Sequence, residues 1–206
     1  MNEKFFSLPQ EKQQAILNGG YRVFSQNSYR KSPVSEIAAE AGISKSLLFH
    51  YFRNKKELYL YLWEHCAEVT IQALKQYGCY EQSDLFEIMY SGLKAKVQIM
   101  RQYPCLGAFV LKAYYEQDPE IAPAIQASYQ THVDFKTNAA LLKLDPARFR
   151  EGLDLQMMCR EMYWASEGYL WENTQGRELD PDKMERDFTQ LIDFWKQIYL
   201  RKEESG

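Results

Sequence analysis

The sequence predicts an all-α protein of about nine helices, with a small N-terminal domain at residues 1–60 and a larger helical bundle at residues 61–206. Three observations lead there. Apolar residues recur at spacings of three and four through every long stretch. No alternating apolar run bounded by turn residues reads as a strand. Proline and glycine fall where helices must begin or end.

Taken in order, Ser7-Leu8-Pro9-Gln10 predicts a helix start, with serine as cap, glutamine three later and proline in the first turn. That helix runs to about Asn27. Gly19 and Gly20 lie inside it, and each costs ~1 kcal/mol relative to alanine, so this helix is expected to be soft. Ser32-Pro33 opens a short second helix ending near Ala41. A third spans Lys45 to Phe52, and Asn54 caps a fourth from Lys55 to about Tyr77, which joins the two parts of the chain. After a loop at Gly78–Glu81, a fifth helix runs from Asp84 to Gln102 and a sixth from Cys105 to Tyr115. Asp118-Pro119, Asp145-Pro146 and Asp180-Pro181 each mark a further start, for helices reaching about Leu142, Asn173 and Lys202. Gly176 separates the last two.

Composition narrows the function. No apolar run is long enough to span a bilayer, and Met1-Asn2-Glu3-Lys4 leads into no apolar leader, so a cytoplasmic protein is expected. Cys66, Cys79, Cys105 and Cys159 are scattered without metal-ligand spacing and read as reduced core residues. There is no GxxxxGK[ST], GxGxxG or GxSxG. The residues three before His50, His65 and His132 are Leu47, Leu62 and Tyr129, which excludes a paired Glu-x-x-His di-iron bundle. No catalytic residue, metal or cofactor is expected. The net charge of −3 hides an asymmetry: residues 1–60 hold nine Lys/Arg against five Glu, so the basic excess sits in the small domain.

That domain carries the most informative segment, residues 34–58. Ile37 and Ala41 share one helix face, and Ala38 is small where two helices must cross. Gly42 suits the left-handed exit of the first helix, and Ser44 caps the second. Leu48 and Phe52 then face inward, leaving Lys45, Ser46, Phe49 and His50 outward. This is the pattern of a helix-turn-helix, whose second helix enters a DNA major groove. A generic helical hairpin on a protein surface is the plainer alternative.

Ile37-Ala38, Ala41-Gly42-Ile43-Ser44, Leu48 to Phe52 and Asn54 to Leu58 resemble the signature of the TetR family of bacterial transcription regulators. Ile16, Gly20 and Val23-Phe24 match the family's first helix, so the resemblance covers residues 8–60 or so. It implies that Lys45, Ser46, Leu47 and Ser35 approach base edges, that Ser44, Tyr51 and Lys55 hold phosphates, and that Phe49 packs against sugar or a thymine methyl, with His50 on the same face. Phe49 stands where the family usually has tyrosine, Tyr51 where it often has histidine, and Ser28 where a glycine is expected. The resemblance further implies a ligand-responsive regulator, in the first instance a repressor, on a pseudo-palindromic double-stranded DNA operator. The other class left open is a helical ligand-binding or protein-interaction module that does not engage DNA.

The last two long helices carry large apolar residues at helical spacing. Met158, Met162, Tyr169, Phe188, Leu191, Ile192, Trp195 and Tyr199 form either a core within one chain or the seam of a two-fold homodimer. A single helix-turn-helix reads few base pairs, which favours the seam. Met89, Leu93, Met100, Phe109, Tyr114, Tyr129, His132, Phe135, Glu161 and Trp164 are either plain core or the lining of a pocket for a small apolar or aromatic effector.

Overall fold

The computed structural model describes residues 3–129, 144–174 and 178–202. Among these the chain is all helix, apart from a single antiparallel bridge between Phe149 and Leu200. The helices are α1 (Glu3–Phe6), α2 (Gln10–Gln26), α3 (Val34–Glu40), α4 (Lys45–Tyr51), α5 (Lys55–Gln76), α6 (Leu85–Gln102), α7 (Leu106–Tyr114), α8 (entered at 122 and described to 129), α9 (Leu155–Thr174) and α10 (Pro181–Tyr199).

Most boundaries follow local chemistry. Gly42 adopts φ +67° just past α3, the Ile43 N–H donates to the Ala38 carbonyl at 2.9 Å and the Gly42 N–H to the Ala39 carbonyl at 3.0 Å. Those two bonds satisfy carbonyls a helix end otherwise leaves open, and only the absent Cβ makes the conformation cheap. Gly78 closes α5 in the same way, with bonds from Gly78 to Lys75 and from Cys79 to Leu74. Ser44, Asn54, Asp84 and Asp180 cap α4, α5, α6 and α10 through their side-chain oxygens.

Four expected boundaries fail. Ser7 does not cap α2, because its hydroxyl donates backward to the Lys4 carbonyl; the extra helix α1 precedes it. Ser32 does not cap α3, because it is buried and donates to the Ser28 carbonyl, leaving Pro33 at the cap position. Asp145-Pro146 starts only a three-residue 3₁₀ turn. The long helix begins after Gly152 (φ +76°), where the Asp154 carboxylate accepts the Gln156 and Met157 N–H groups. Finally, α10 ends at Tyr199 rather than Lys202, because the next residue, Leu200, pairs with Phe149. The expected course of α8 to Leu142 and the break at Gly176 lie outside the described residues.

Two apolar cores hold these helices. One joins α1–α5 to α7 and α8: Phe109 lies with its ring centroid 5.3 Å from Tyr21, 5.1 Å from Tyr59 and 6.3 Å from Phe24. The Tyr59 ring meets Phe109 edge-to-face and the other two are tilted against it, so the cluster contributes both buried area and ring-quadrupole attraction. The second core packs Phe86, Leu93, Val97 and Met100 of α6 against Met158 and Met162 of α9 and Met184, Ile192 and Trp195 of α10.

The glycines of α2 have a purpose that helix propensity does not show. A Cβ on Gly19 would lie 2.9 Å from the Ile37 carbonyl oxygen and 3.1 Å from the Ala41 nitrogen, so α3 packs directly on the α2 backbone. Gly20 makes room for a Leu62 methyl from α5. The helix is tightly sandwiched, which corrects the expectation of softness. Where α2 meets α5 there is also a buried polar contact, with the Tyr21 hydroxyl 2.7 Å from His65 Nδ1 and 3.2 Å from the Leu62 carbonyl. Burial holds the His65 pKa down to about 4. It raises the thiols of all four cysteines, that of Cys66 to about 12, so none is poised as a thiolate.

Gly19→Ala is expected to lower the unfolding free energy by ~1–3 kcal/mol, because backbone must move to admit the methyl. Gly168→Ala, where nothing lies within 4 Å, should instead raise it by up to ~1 kcal/mol. Urea unfolding of both variants checks the pair. A second expectation concerns acid. The unfolded imidazole gains its proton near pH 6.5 and the folded His65 only near pH 4, so protons favour unfolding between those values. The contribution is complete above pH 6.5 and lost as pH falls to 4. Unfolding measured across that window should show this slope, and His65→Gln should reduce it by up to about one proton.

Candidate nucleic-acid interface

The helix-turn-helix is built from α3 and α4, supported by α1, α2 and the start of α5. On α4, Leu48, Tyr51 and the following Phe52 are buried, while Ser44, Lys45, Ser46, Leu47, Phe49 and His50 are exposed. The first turn is held locally. Ser44 Oγ accepts the Leu47 N–H at 3.1 Å and lies 3.0 Å from Ser46 Oγ. Lys45 Nζ stands 5.9 Å from the Phe49 ring centroid, so the phenyl ring that replaces a tyrosine supports the lysine through its π face. Ser35 is exposed on α3. The expected base-facing set is thus gathered on the surface at one end of the chain.

Two expected phosphate holders behave otherwise. Tyr51 is only 8% exposed and its ring packs against Phe5 at 6.2 Å, so it serves chiefly as an apolar support under α4. Lys55 turns its ammonium onto protein: Nζ donates to the Arg30 carbonyl at 3.1 Å and the Ser32 carbonyl at 3.4 Å, and sits 4.7 Å from the Tyr29 ring centroid. It fastens the α2–α3 turn to the start of α5, which makes it a positioning residue in this state.

Not every cation of the small domain is available. Arg22 pairs with Glu40 and Glu178, and Arg30 with Asp118 at 3.3 Å. Lys31, Lys45 and Arg53 are exposed and make no ion pair among the described residues. Sequence reasoning missed Phe5, fully buried among Tyr51, Phe52 and Tyr61, although the Phe5-Phe6 pair ahead of α2 was a signal. It also missed Glu116, whose carboxylate accepts the Tyr29 N–H at 2.7 Å from 87 residues away; no local pattern announces such a contact.

The structure separates the residues expected to line an effector pocket. Leu93 and Met100 are buried in the second core with Met89 packed beside it, while Phe109 belongs to the first. The Tyr114 and Tyr129 rings lie 4.3 Å apart, tilted by 45°, and share a surface cleft. Glu161 accepts the Tyr199 hydroxyl, and Trp164 is 56% exposed. His132 and Phe135 lie outside the described residues. Of the expected seam, Met158, Met162, Ile192 and Trp195 are buried inside the chain's own second core, and Tyr169, Phe188, Leu191 and Tyr199 pack against that core half-buried.

Residues 16–62 match the model of the bacterial regulatory proteins, tetR family. In that segment the chain is similar to the TetR family. The matched residues run from the middle of α2 through α3 and α4 into the first turns of α5. Over 93 residues the chain is 28% identical to the HTH-type transcriptional regulator RutR of Escherichia coli K12, spanning 45% of this chain and 43% of RutR. It is 22% identical to the HTH-type transcriptional repressor AcnR of Corynebacterium efficiens over 175 residues, 79% of this chain and 81% of AcnR. A TetR family transcriptional regulator from Chloroflexus aurantiacus superposes with a TM-score of 0.70 at 22% identity, covering 98% of this chain and 99% of that one. The likeness of fold therefore extends over nearly all of the chain, whereas the family model matches residues 16–62.

Proposed function

We propose that this chain is a DNA-binding transcription regulator acting as a homodimer, and most simply a repressor on a pseudo-palindromic operator. The observation that carries the reading is the first turn of α4, where Ser44, Lys45, Ser46 and Leu47 stand exposed on a tightly supported helix. Hydroxyls and a lysine there suit base edges and phosphates, and exposed Lys31 and Arg53 add positive charge to the same small domain. AcnR, which is named a repressor, supports the sign of regulation.

Dimerisation follows from the spacing of operator half-sites, roughly one helical turn or ~34 Å apart. The stripe that supports it differs from the residues expected. Met157, Trp164 and Trp171 recur every seven residues along the outer side of α9 and are 50%, 56% and 56% exposed, with Phe194 exposed on α10. Such apolar exposure on two adjacent long helices suits a second copy of the same surface. An effector bound in the larger domain would act through α5, which begins at the Lys55 tether and runs into the bundle. It would regulate only by binding the two arrangements with different affinity. Tyr114 and Tyr129 support an aromatic or apolar ligand at their shared cleft.

Binding to promoter DNA should weaken steeply with salt, and Lys45→Ala, which removes one lysine from each protomer of the dimer, should lower the logarithmic salt slope by about two. Filter or anisotropy titrations over a salt series test this, and retention that ignores salt in both proteins would favour an interaction module instead. Trp164→Glu is expected to convert a dimer to monomers in sedimentation equilibrium without loss of helicity, since the residue supports no core of its own chain. A monomeric wild type would remove the dimer from the proposal.

A further inference from the structure

A cleft of about 650 Å³ opens between α2, α5 and α6, where the small domain meets the bundle. None of the residues expected to hold an effector lines it. Its lining contains seven glutamines and no Asp, Glu, Lys or Arg. One wall is aromatic and continuous: the His65 ring lies 6.1 Å from Tyr61 and 5.2 Å from Tyr103. His65 stays neutral at physiological pH because burial depresses its pKa, and burial raises both phenols.

The amides are partly committed. Gln14 Nε2 donates to the Gln102 carbonyl at 2.9 Å, bracing α2 on α6, and Gln102 Nε2 reaches the Tyr103 hydroxyl at 3.3 Å. The amides of Gln72, Gln76 and Gln98 make no hydrogen bond among the described residues, although all three line the cleft. Each carries two donors and an acceptor with two lone pairs. A charged ligand would exchange water for a lining without countercharge, and an apolar one would leave the amides unpaired. A ring bearing several hydroxyls, each both donor and acceptor, satisfies amides spread over three helices and sets its C–H face on the aromatic wall.

We propose that this cleft is a binding site for a neutral saccharide. The ligand would bridge α2 of the small domain to α5 and α6 of the bundle.

The test is calorimetric titration of the full chain with glucose, sucrose and maltose, beside gluconate and glucosamine as charged counterparts. At least one neutral sugar should bind, with each charged counterpart about tenfold weaker or worse. Gln72 and Gln98 are exposed, so Gln72→Leu with Gln98→Leu should preserve the helical circular dichroism while weakening that sugar about tenfold. Should that pair misfold, Gln98→Glu alone is expected to weaken it as well. Gln197→Leu, exposed on α10 away from the cleft, should change nothing. The proposal is overturned if no neutral sugar binds, if the charged compounds bind equally, or if the cleft variants keep wild-type affinity. All of this is read without DNA, so the result is independent of the regulator proposal.

Discussion

Phe109 is the contact on which the arrangement of this molecule depends. It comes from α7 in the bundle, is fully buried, and sits among Tyr21 and Phe24 of α2 and Tyr59 of α5. Those three rings belong to the segment that presents α4. The small domain therefore shares its core with the bundle. A flexible tether would let α4 point anywhere; a shared aromatic core fixes its direction relative to α9 and α10, where a second copy would attach. Two copies of a recognition helix are useful only at a defined separation, so this packing is a condition of the proposed function.

Around that core, polar contacts set the finer geometry. Lys55 holds the α2–α3 turn through two carbonyls, Glu116 holds the Tyr29 amide, and Asp118 pairs with Arg30. The Lys55 bonds tie the α2–α3 turn to the start of α5, and the Glu116 and Asp118 bonds tie the same turn to the bundle. Partly exposed bonds of this kind contribute about 1 kcal/mol apiece. That is small against the apolar core but comparable to the energy a ligand needs to shift a domain by a population change. Coupling between bundle and DNA-facing surface would pass through this group and through α5.

The electrostatics are more selective than the composition implies. The small domain has a basic excess, yet Arg22 and Arg30 are spent on ion pairs and Lys55 on carbonyls. Lys31, Lys45 and Arg53 stay exposed without an ion pair among the described residues. At the other end, the aromatic stripe of α9 stands out of the fold, while the neighbouring methionines face in. A shift of one residue on a helix moves a side chain by about a hundred degrees, which is why Met157 and Met158 have opposite fates.

Features decided within a few residues were legible from the chain alone. The helical class follows from apolar periodicity, the exit at Gly42 from a left-handed backbone conformation, and the caps at Ser44, Asn54, Asp84 and Asp180 from side-chain oxygens next to open N–H groups. The exposed face of α4 was legible for the same reason, since Leu48 and Phe52 leave Lys45, Ser46 and Phe49 outward. Contacts between distant segments were not. Nothing near Lys55 says that its ammonium meets carbonyls 23 and 25 residues earlier, and nothing near Gly19 says that a neighbouring helix backbone needs its missing Cβ. Likewise Met158 with Met162, four apart, and Trp164 with Trp171, seven apart, each read as an apolar helix face, and only the packing of α6 against α9 and α10 buries the first pair and leaves the second outside. Periodicity identifies an apolar face, but which neighbour covers it depends on the path of the whole backbone.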